Sequence, residues 1–533
     1  MKYLLSTNSI ALFVSSQARL AVGHTLSNVK LPAVHNARQA SIPASAEIAS
    51  TQYLHRRTQD DTLTFPEGIW TSQGYGYVVA VQDNVTTAAE YLEETKISCI
   101  ANPRLADFVH IVDFNPNKNV AMVDADSLNL YEFDRSNDFQ SGCRNGKTLL
   151  ATDEGYQRDV LLNYDILVET FSEHYAFFEL RGIDWPTLTA AARLDLSTNS
   201  TDDELLHSMV KILAPLQDAH VTLDAAELDF HFDGNPAEIL LRLQQEYKDS
   251  PVENFDEYLQ SQMQAYLTAV ANYLDDNQLH GNPAELTWGT ASNGSIGYLN
   301  IFNMWPDNIE SFRADVQTAI GDLMDTEAMI IDIRVNGGGL DSVSLGIASH
   351  FADEAFTAFS KKAVKGDGYT PAFDVTVDPF DDLDFVYKGD VILLVSESTI
   401  SAAEIFVLAT SQLPQVTIVG QPTKGALSDM LVKTLPNGWS FTLSNEVYLT
   451  PDGELFEMRG IPPDFEAKTE LLPVLELENG TDTWMELALK VAHDKIDDDS
   501  TASSAAMNHR HGCLGIHNSA SLSFVFLLLV FYF

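Results

Sequence analysis

From about residue 291 the chain alternates two kinds of apolar spacing. SIGYLNIF, AMIIDIRV, DVILLV and VTIVG are short, dense apolar runs. IESFRADVQTAIGDLM, LDSVSLGIASHFA and SAAEIFVLATSQL separate them and repeat their apolar residues at three and four. Dense runs bounded by turn residues read as strands buried on both faces, and the three-and-four spacing reads as helices packed on them. The alternation predicts a parallel α/β sheet covered by helices. SFTLSNEVYLTPDG, after the last of these runs, predicts a hairpin.

Upstream the grammar differs. NYDILVETFSEHYAFFEL, IDWPTLTAAARLDL, TDDELLHSMVKILAPLQ and FDEYLQSQMQAYLTAVANYL are amphipathic, and the third opens on a Thr/Asp cap with an acidic first turn. They predict a helical segment over 155–285, ahead of an α/β domain over 286–475 and a C-terminal helix over 476–500. Residues 61–150 carry glycines, aromatics and short alternating runs such as GYGYVVAV, HIVDF and LNLYEF, which predict a small β-domain. Residues 24–60 are polar and unpatterned, and read as a linker or propeptide.

The ends change the picture. Residues 1–23 hold one Lys, an interrupted apolar region and small residues at Ser16 and Ala18, the layout of a signal peptide. Residues 501–533 run from a small-residue stretch around Ser503, Ser504 and Ala505, through a polar spacer, to the apolar tail LSFVFLLLVFYF. That tail is short for a bilayer span, and the layout is that of a GPI-anchor signal, with a tail anchor as the alternative. Sequons at Asn84, Asn199, Asn293 and Asn479 suit secretion or display on the cell surface. Of three cysteines, Cys99 and Cys143 form the natural pair in an oxidising compartment, or stand as two separate buried thiols; Cys513 lies near the end. A net charge of −45 argues against nucleic acid or an anionic membrane as partner, so the membrane enters only through the C-terminal anchor.

Two strand ends invite chemistry, because sites in open α/β sheets form at the carboxyl ends of strands. AMIIDIRV runs into Asn336-Gly337-Gly338-Gly339, and DVILLV runs through Ser396, Ser398 and Thr399 to Ser401 at a helix start. The glycines lack the GxGxxG or GKS/T pattern of a nucleotide site, and there is no HExxH helix or CxxC pair, so no cofactor or metal is expected. Ser401 is either a helix N-cap or a nucleophile with the Ala402 amide aimed at a developing oxyanion. There is no GxSxG elbow. His220, in LQDAHVTL just before an alternating run, and Glu457, in ELFEMRGIPPD, are the available base and acid.

These pieces resemble, in order from about Tyr164 to Asp464, the serine peptidases that include tail-specific protease, the C-terminal-processing peptidases and the tricorn core. LQDAHVTL resembles their L-x-D-x-H-x-x-L signature, and MIIDIRVNGGG their D-x-R-x-N-x-G-G strand and turn. TISAAEIF and VGQPTKGA resemble the nucleophile helix and the G-x-P-T-x-G loop, and YLTPDGELFEMRGIPPD the closing segment. The resemblance implies a ClpP/crotonase-like catalytic α/β domain in a serine-type peptidase acting on protein or peptide substrates. It implies Ser401 as nucleophile, His220 as general base, Glu457 as the assisting acid, and the Gly339 and Ala402 amides as oxyanion hole. Asn336 and Arg334 would hold the glycine turn. The processing-peptidase branch carries a lysine where this chain has Ala426; Lys424, two residues earlier, is the alternative base. No PDZ-like carboxylate-binding turn is legible, which points to the tricorn-like branch. A catalytically silent ligand-binding protein on the same fold, or an esterase or amidase, are the other readings.

Overall fold

The computed structural model describes residues 64–81, 89–468 and 479–511, less positions 108, 116, 117, 119, 125–127, 129, 140, 383 and 384. The signal, linker, Asn84, Cys513 and apolar-tail readings lie outside the described residues. No described helix is long and apolar enough to cross a membrane.

Seven strands form an antiparallel sheet at the front of the described chain. They are β1 (Gly68–Ser72), β2 (Tyr77–Val81), β3 (Glu90–Glu94), β4 (Cys99–Ala101), β5 (His110–Asn115), β6 (Val120–Asp124) and β7 (Tyr131–Ser136), in the order β4-β3-β2-β1-β7-β6-β5. Cys99 on β4 is disulfide-bonded to Cys143 in the one-turn helix α1 (Ser141–Arg144). The bond packs against Val78 and Leu92.

Helices α2 (Val160–His174), α3 (Trp185–Arg193) and α4 (Asp202–Leu213) follow. Asp159, Asp184 and Thr201 cap them by accepting backbone N–H groups, and Thr201 with Glu204 closes a capping box. The stretch expected to be helical to residue 285 then departs from that expectation. It contains the short strands β8 (Thr222–Ala225) and β9 (Phe230–Asp233) before α5 (Glu238–Lys248) and α6 (Phe255–Ala271), and ends in β10 (His280–Asn282).

The central sheet uses β10, β11 (Leu286–Ala291), β12 (Ile296–Ile301), β13 (Ala328–Asp332), β17 (Asp390–Val395), β18 (Val416–Gly420) and β22 (Phe465–Glu466), in the order β10-β11-β12-β13-β17-β18-β22. From β12 to β22 neighbouring strands are parallel, and β10-β11-β12 are antiparallel. Every residue of β12 and β13 is buried, as dense apolar runs require of a sheet covered on both faces. One face packs on α7 (Ile309–Leu323), α8 (Asp341–Ala348) and α9 (Ala402–Thr410). The other packs on α6 and on α10 (Thr483–His511), through Tyr266, Ala269, Trp484 and Ala488. Helix α10 thus continues past the boundary at 500 and through Ser503, Ser504 and Ala505.

Between and after these strands lie β14 (Phe356–Lys365), β15 (Gly368–Tyr369), β16 (Phe373–Val377), β19 (Met430–Thr434), β20 (Ser440–Ser444) and β21 (Glu446–Leu449). Strands β14, β15, β16 and β21 form one small sheet; β19-β20-β8-β9 form another. The second ties the segment carrying His220 to the chain that follows α9, with Thr222 opposite Thr442. The expected hairpin over this stretch does not form: β20 pairs with β19 and β8, whereas β21 turns away to pair with β14.

Candidate active site

Strands β13 and β17 run side by side with Asp332 opposite Leu394, so the glycine turn and the Ser401 turn leave the sheet at one edge. The hydroxyls between them sew the two turns together. Thr399 Oγ1 donates to the Ile333 carbonyl (2.9 Å), and Ser396 Oγ donates to that of Arg334. Asn336 holds the glycine turn: Nδ2 donates to Ile301 O (2.9 Å), Oδ1 accepts the Gly338 N–H (2.8 Å), and its carbonyl accepts the Ile400 N–H (3.1 Å). Arg334 is fully buried between Asp332 and Asp482, which anchors the same turn to the start of α10.

Ser401 sits at the N-terminus of α9 with φ 56° and ψ −127°, in a region that a side chain rarely adopts. Gly338 makes room for it: a Cβ there would stand 2.7 Å from Ser401 Cβ. Gly339 (φ +149°) passes so close to residue 304 that a Cβ would meet the Met304 carbonyl carbon at 2.1 Å. Glycine is therefore required at both positions. The Gly338 N–H is spent on Asn336, whereas the Gly339 and Ala402 N–H groups have no acceptor among the described residues.

Glu404, one turn into α9, was not singled out from the sequence, yet it organises the loop facing Ser401. Its carboxylate accepts from Thr423 Oγ1 (2.5 Å), Gly425 N–H (2.7 Å), Ala426 N–H (2.8 Å) and Ser401 N–H (3.3 Å). Burial raises its pKa to about 7 against the pull of these bonds. The signal was the S-x-x-E spacing of a capping box.

His220 is buried just before β8. Its carbonyl accepts from Thr442 Oγ1 on β20 (2.7 Å), and its N–H donates to Asp218 Oδ1 (2.9 Å). The imidazole lies against the Ser428 backbone, Nδ1 has no partner, and burial lowers its proton affinity. No hydrogen bond joins Ser401 Oγ to His220 among the described residues. Nor does a hydrogen bond join Glu457 to the imidazole among the described residues. Glu457 accepts the Leu427 and Ser428 N–H groups (2.9 and 3.2 Å) and pairs with Arg181 (2.9 Å). Burial, and then the nearby Asp218 charge, push its pKa up to about 8. Its observed contacts are thus with Arg181 and with the loop residues before β19 that lie against His220. Arg181 and Asp218 were likewise not singled out. Lys424 Nζ is committed to Asn235 Oδ1 (3.1 Å) and the Pro236 carbonyl (2.9 Å). Burial lowers its pKa.

No cluster of metal-ligating side chains occurs among the described residues. Asn199, Asn293 and Asn479 are all exposed.

A serine in a strained turn at a helix N-terminus, beside two unclaimed amides, is an arrangement equipped for acyl transfer. Residues 295–467 match the model of peptidase family S41, and over this stretch the resemblance to the tail-specific and C-terminal-processing peptidases holds. A Staphylococcus aureus protein named "Probable CtpA-like serine protease" is 24% identical over 228 residues, 41% of this chain and 44% of that one. A carboxy-terminal-processing protease of Bartonella bacilliformis is 25% identical over 177 residues, 32% of this chain and 38% of that one. The chain thus spans less than half the length of these curated relatives. A crystal structure of a peptidase candidate from Parabacteroides merdae shares the fold, with a TM-score of 0.51 and 23% identity over 63% of this chain and 97% of that one.

Proposed function

We propose that the protein is a serine endopeptidase that cleaves peptide bonds through an acyl-enzyme on Ser401. The observation that carries this is the strained Ser401 beside the unclaimed Gly339 and Ala402 amides. In the proposed reaction His220 takes the hydroxyl proton, Ser401 Oγ bonds to the carbonyl carbon, and the oxyanion rests on the two amides. His220 then gives the proton to the departing amine as the C–N bond breaks. Water, deprotonated by His220, then adds to the acyl carbon; the C–Oγ bond breaks, His220 returns the proton to Ser401 Oγ, and the acyl group leaves as a carboxylic acid that ionises in water. Glu457 supports this through the backbone beside the imidazole. The lysine route is disfavoured because Lys424 is held by residues 235 and 236.

We propose also that the chain is secreted or displayed at the cell surface. The Cys99–Cys143 disulfide and the exposed sequons at Asn199, Asn293 and Asn479 support this reading. A mass shift on deglycosylation of the native protein would test it.

The primary test is labelling with a fluorophosphonate probe, with the adduct mapped by mass spectrometry. Ser401 is the expected site; Ser401→Ala should lose the label, and His220→Ala should slow it by on the order of a thousandfold or more. A folded wild-type protein that takes no label would count against the peptidase and in favour of a silent ligand-binding fold. Hydrolysis of esters without peptides would favour the esterase reading.

A further inference from the structure

The side chain of Arg181 is 3% exposed, yet it lies on the connection between α2 and α3, outside every motif of the site. Its Nη1 donates to the carbonyls of Leu216 (3.0 Å) and Gln217 (2.6 Å). Its Nη2 faces two carboxylates, Asp218 Oδ2 at 3.3 Å and Glu457 Oε1 at 2.9 Å. Each carboxylate holds one side of the site. Asp218 accepts the His220 N–H (2.9 Å), the Tyr175 hydroxyl (2.8 Å) and Ser444 Oγ (3.1 Å). Glu457 accepts the N–H groups of residues 427 and 428, and the Ser428 backbone lies against the imidazole.

We propose that Arg181 is the positioning residue of this site, fastening the His220 segment to residues 427 and 428 by bridging Asp218 and Glu457. The inference rests on the reading of Ser401 and His220 as nucleophile and base. Two buried carboxylates this close repel unless a cation stands between them. A guanidinium can serve both and still cap two carbonyls with its other arm; an ammonium has no such fork. The helical segment and the closing segment of the peptidase domain are thereby locked together at the base.

The charged and titratable groups around the imidazole are Asp218 and Arg181, with Glu457 and Tyr175 behind them. The Arg181 charge holds the proton affinity of His220 down while Asp218 raises it. Removing the guanidinium therefore moves the His220 titration, and the acid limb of kcat/KM, to higher pH.

The test uses the full chain as wild type, Arg181→Lys, Arg181→Met and the control Arg193→Met, which breaks a surface pair with Asp165. Probe labelling, activated-ester hydrolysis across pH and NMR titration of His220 are read on each. Arg181→Lys should lower the labelling rate on the order of a hundredfold, with KM changing little. Arg181→Met should show the raised acid limb and recover part of its rate in added guanidinium ion, unlike Arg193→Met. A folded Arg181→Lys that labels at the wild-type rate with an unmoved His220 titration overturns the proposal, and it decides the matter should Arg181→Met not fold. A wild type that never labels sinks the peptidase reading instead. The His220 titration then judges the clamp alone: a midpoint unchanged in both variants overturns it.

Discussion

Glu404 carries more of the geometry around Ser401 than any group named from the sequence. Four donors converge on one buried carboxylate, and three of them belong to the loop that follows β18. A glutamine would turn an N–H₂ toward two of those donors. Glu404→Gln should therefore cost about 2–4 kcal/mol in urea unfolding and slow labelling of Ser401. Wild-type stability in this variant would show that the loop holds itself. The Ser401–Glu404 spacing was legible, since the same pair reads as a helix cap. Arg181 was not. It stands between two helices with nothing local to mark its role, and its partner Glu457 lies 276 residues away, beyond any local pattern. Glu457 itself was legible as a member of the closing motif, but its contact with backbone amides, in place of the imidazole, depends on tertiary placement.

The central sheet was the most legible element. Runs such as AMII are apolar throughout because both faces are covered, and no helix spacing competes with them. The sheet β19-β20-β8-β9 was not legible. The alternating run after His220 was visible, but not its partner: the hydrogen bond from Thr222 to Thr442 spans 220 residues. A hairpin was expected of β20 and β21, but β20 pairs with β19 and β8 while β21 joins β14. Thr442 gives this sheet its functional weight. Its hydroxyl accepts the Thr222 N–H (3.1 Å) and donates to the His220 carbonyl (2.7 Å). Thr442→Val keeps the shape and strands both partners in a buried place. The expected outcome is a loss of about 1–3 kcal/mol, and slower labelling, with the circular dichroism spectrum unchanged. Slower labelling with no loss of stability would also fit a role at the base; unaltered labelling in a destabilised protein would show that His220 is held from elsewhere.

At the scale of the molecule, burial has set two groups of titrating side chains against each other. Glu404 and Asp341 are raised to about 7 and Glu457 to about 8, each chiefly by desolvation. His174 and His350 are lowered to about 3 and about 4, also by desolvation, and His220 is lowered with them. For the carboxyls the folded state holds protons that the unfolded chain has already released. Their contribution is full below the ordinary carboxyl range and is lost as pH rises through about 7–8. For the histidines the unfolded chain binds protons that the folded state refuses. Their contribution is present above about pH 6.5 and is lost as pH falls toward their lowered values. The opposing slopes place maximal stability near about pH 6. Above that point the histidines are silent and the carboxyls, Glu173 among them, set the slope until Lys433, lowered to about 8 by burial, begins to oppose them; the net charge of −45 adds repulsion as the last histidines lose their protons. The melting temperature should therefore fall from about pH 6.5 to about pH 8, and added salt should recover only the part due to surface repulsion. Glu457→Gln should flatten the upper half of that decline. A melting temperature that rises over this window would mean that the buried carboxyls are ionised at less cost than their surroundings imply, through cations or water reaching them from the cleft.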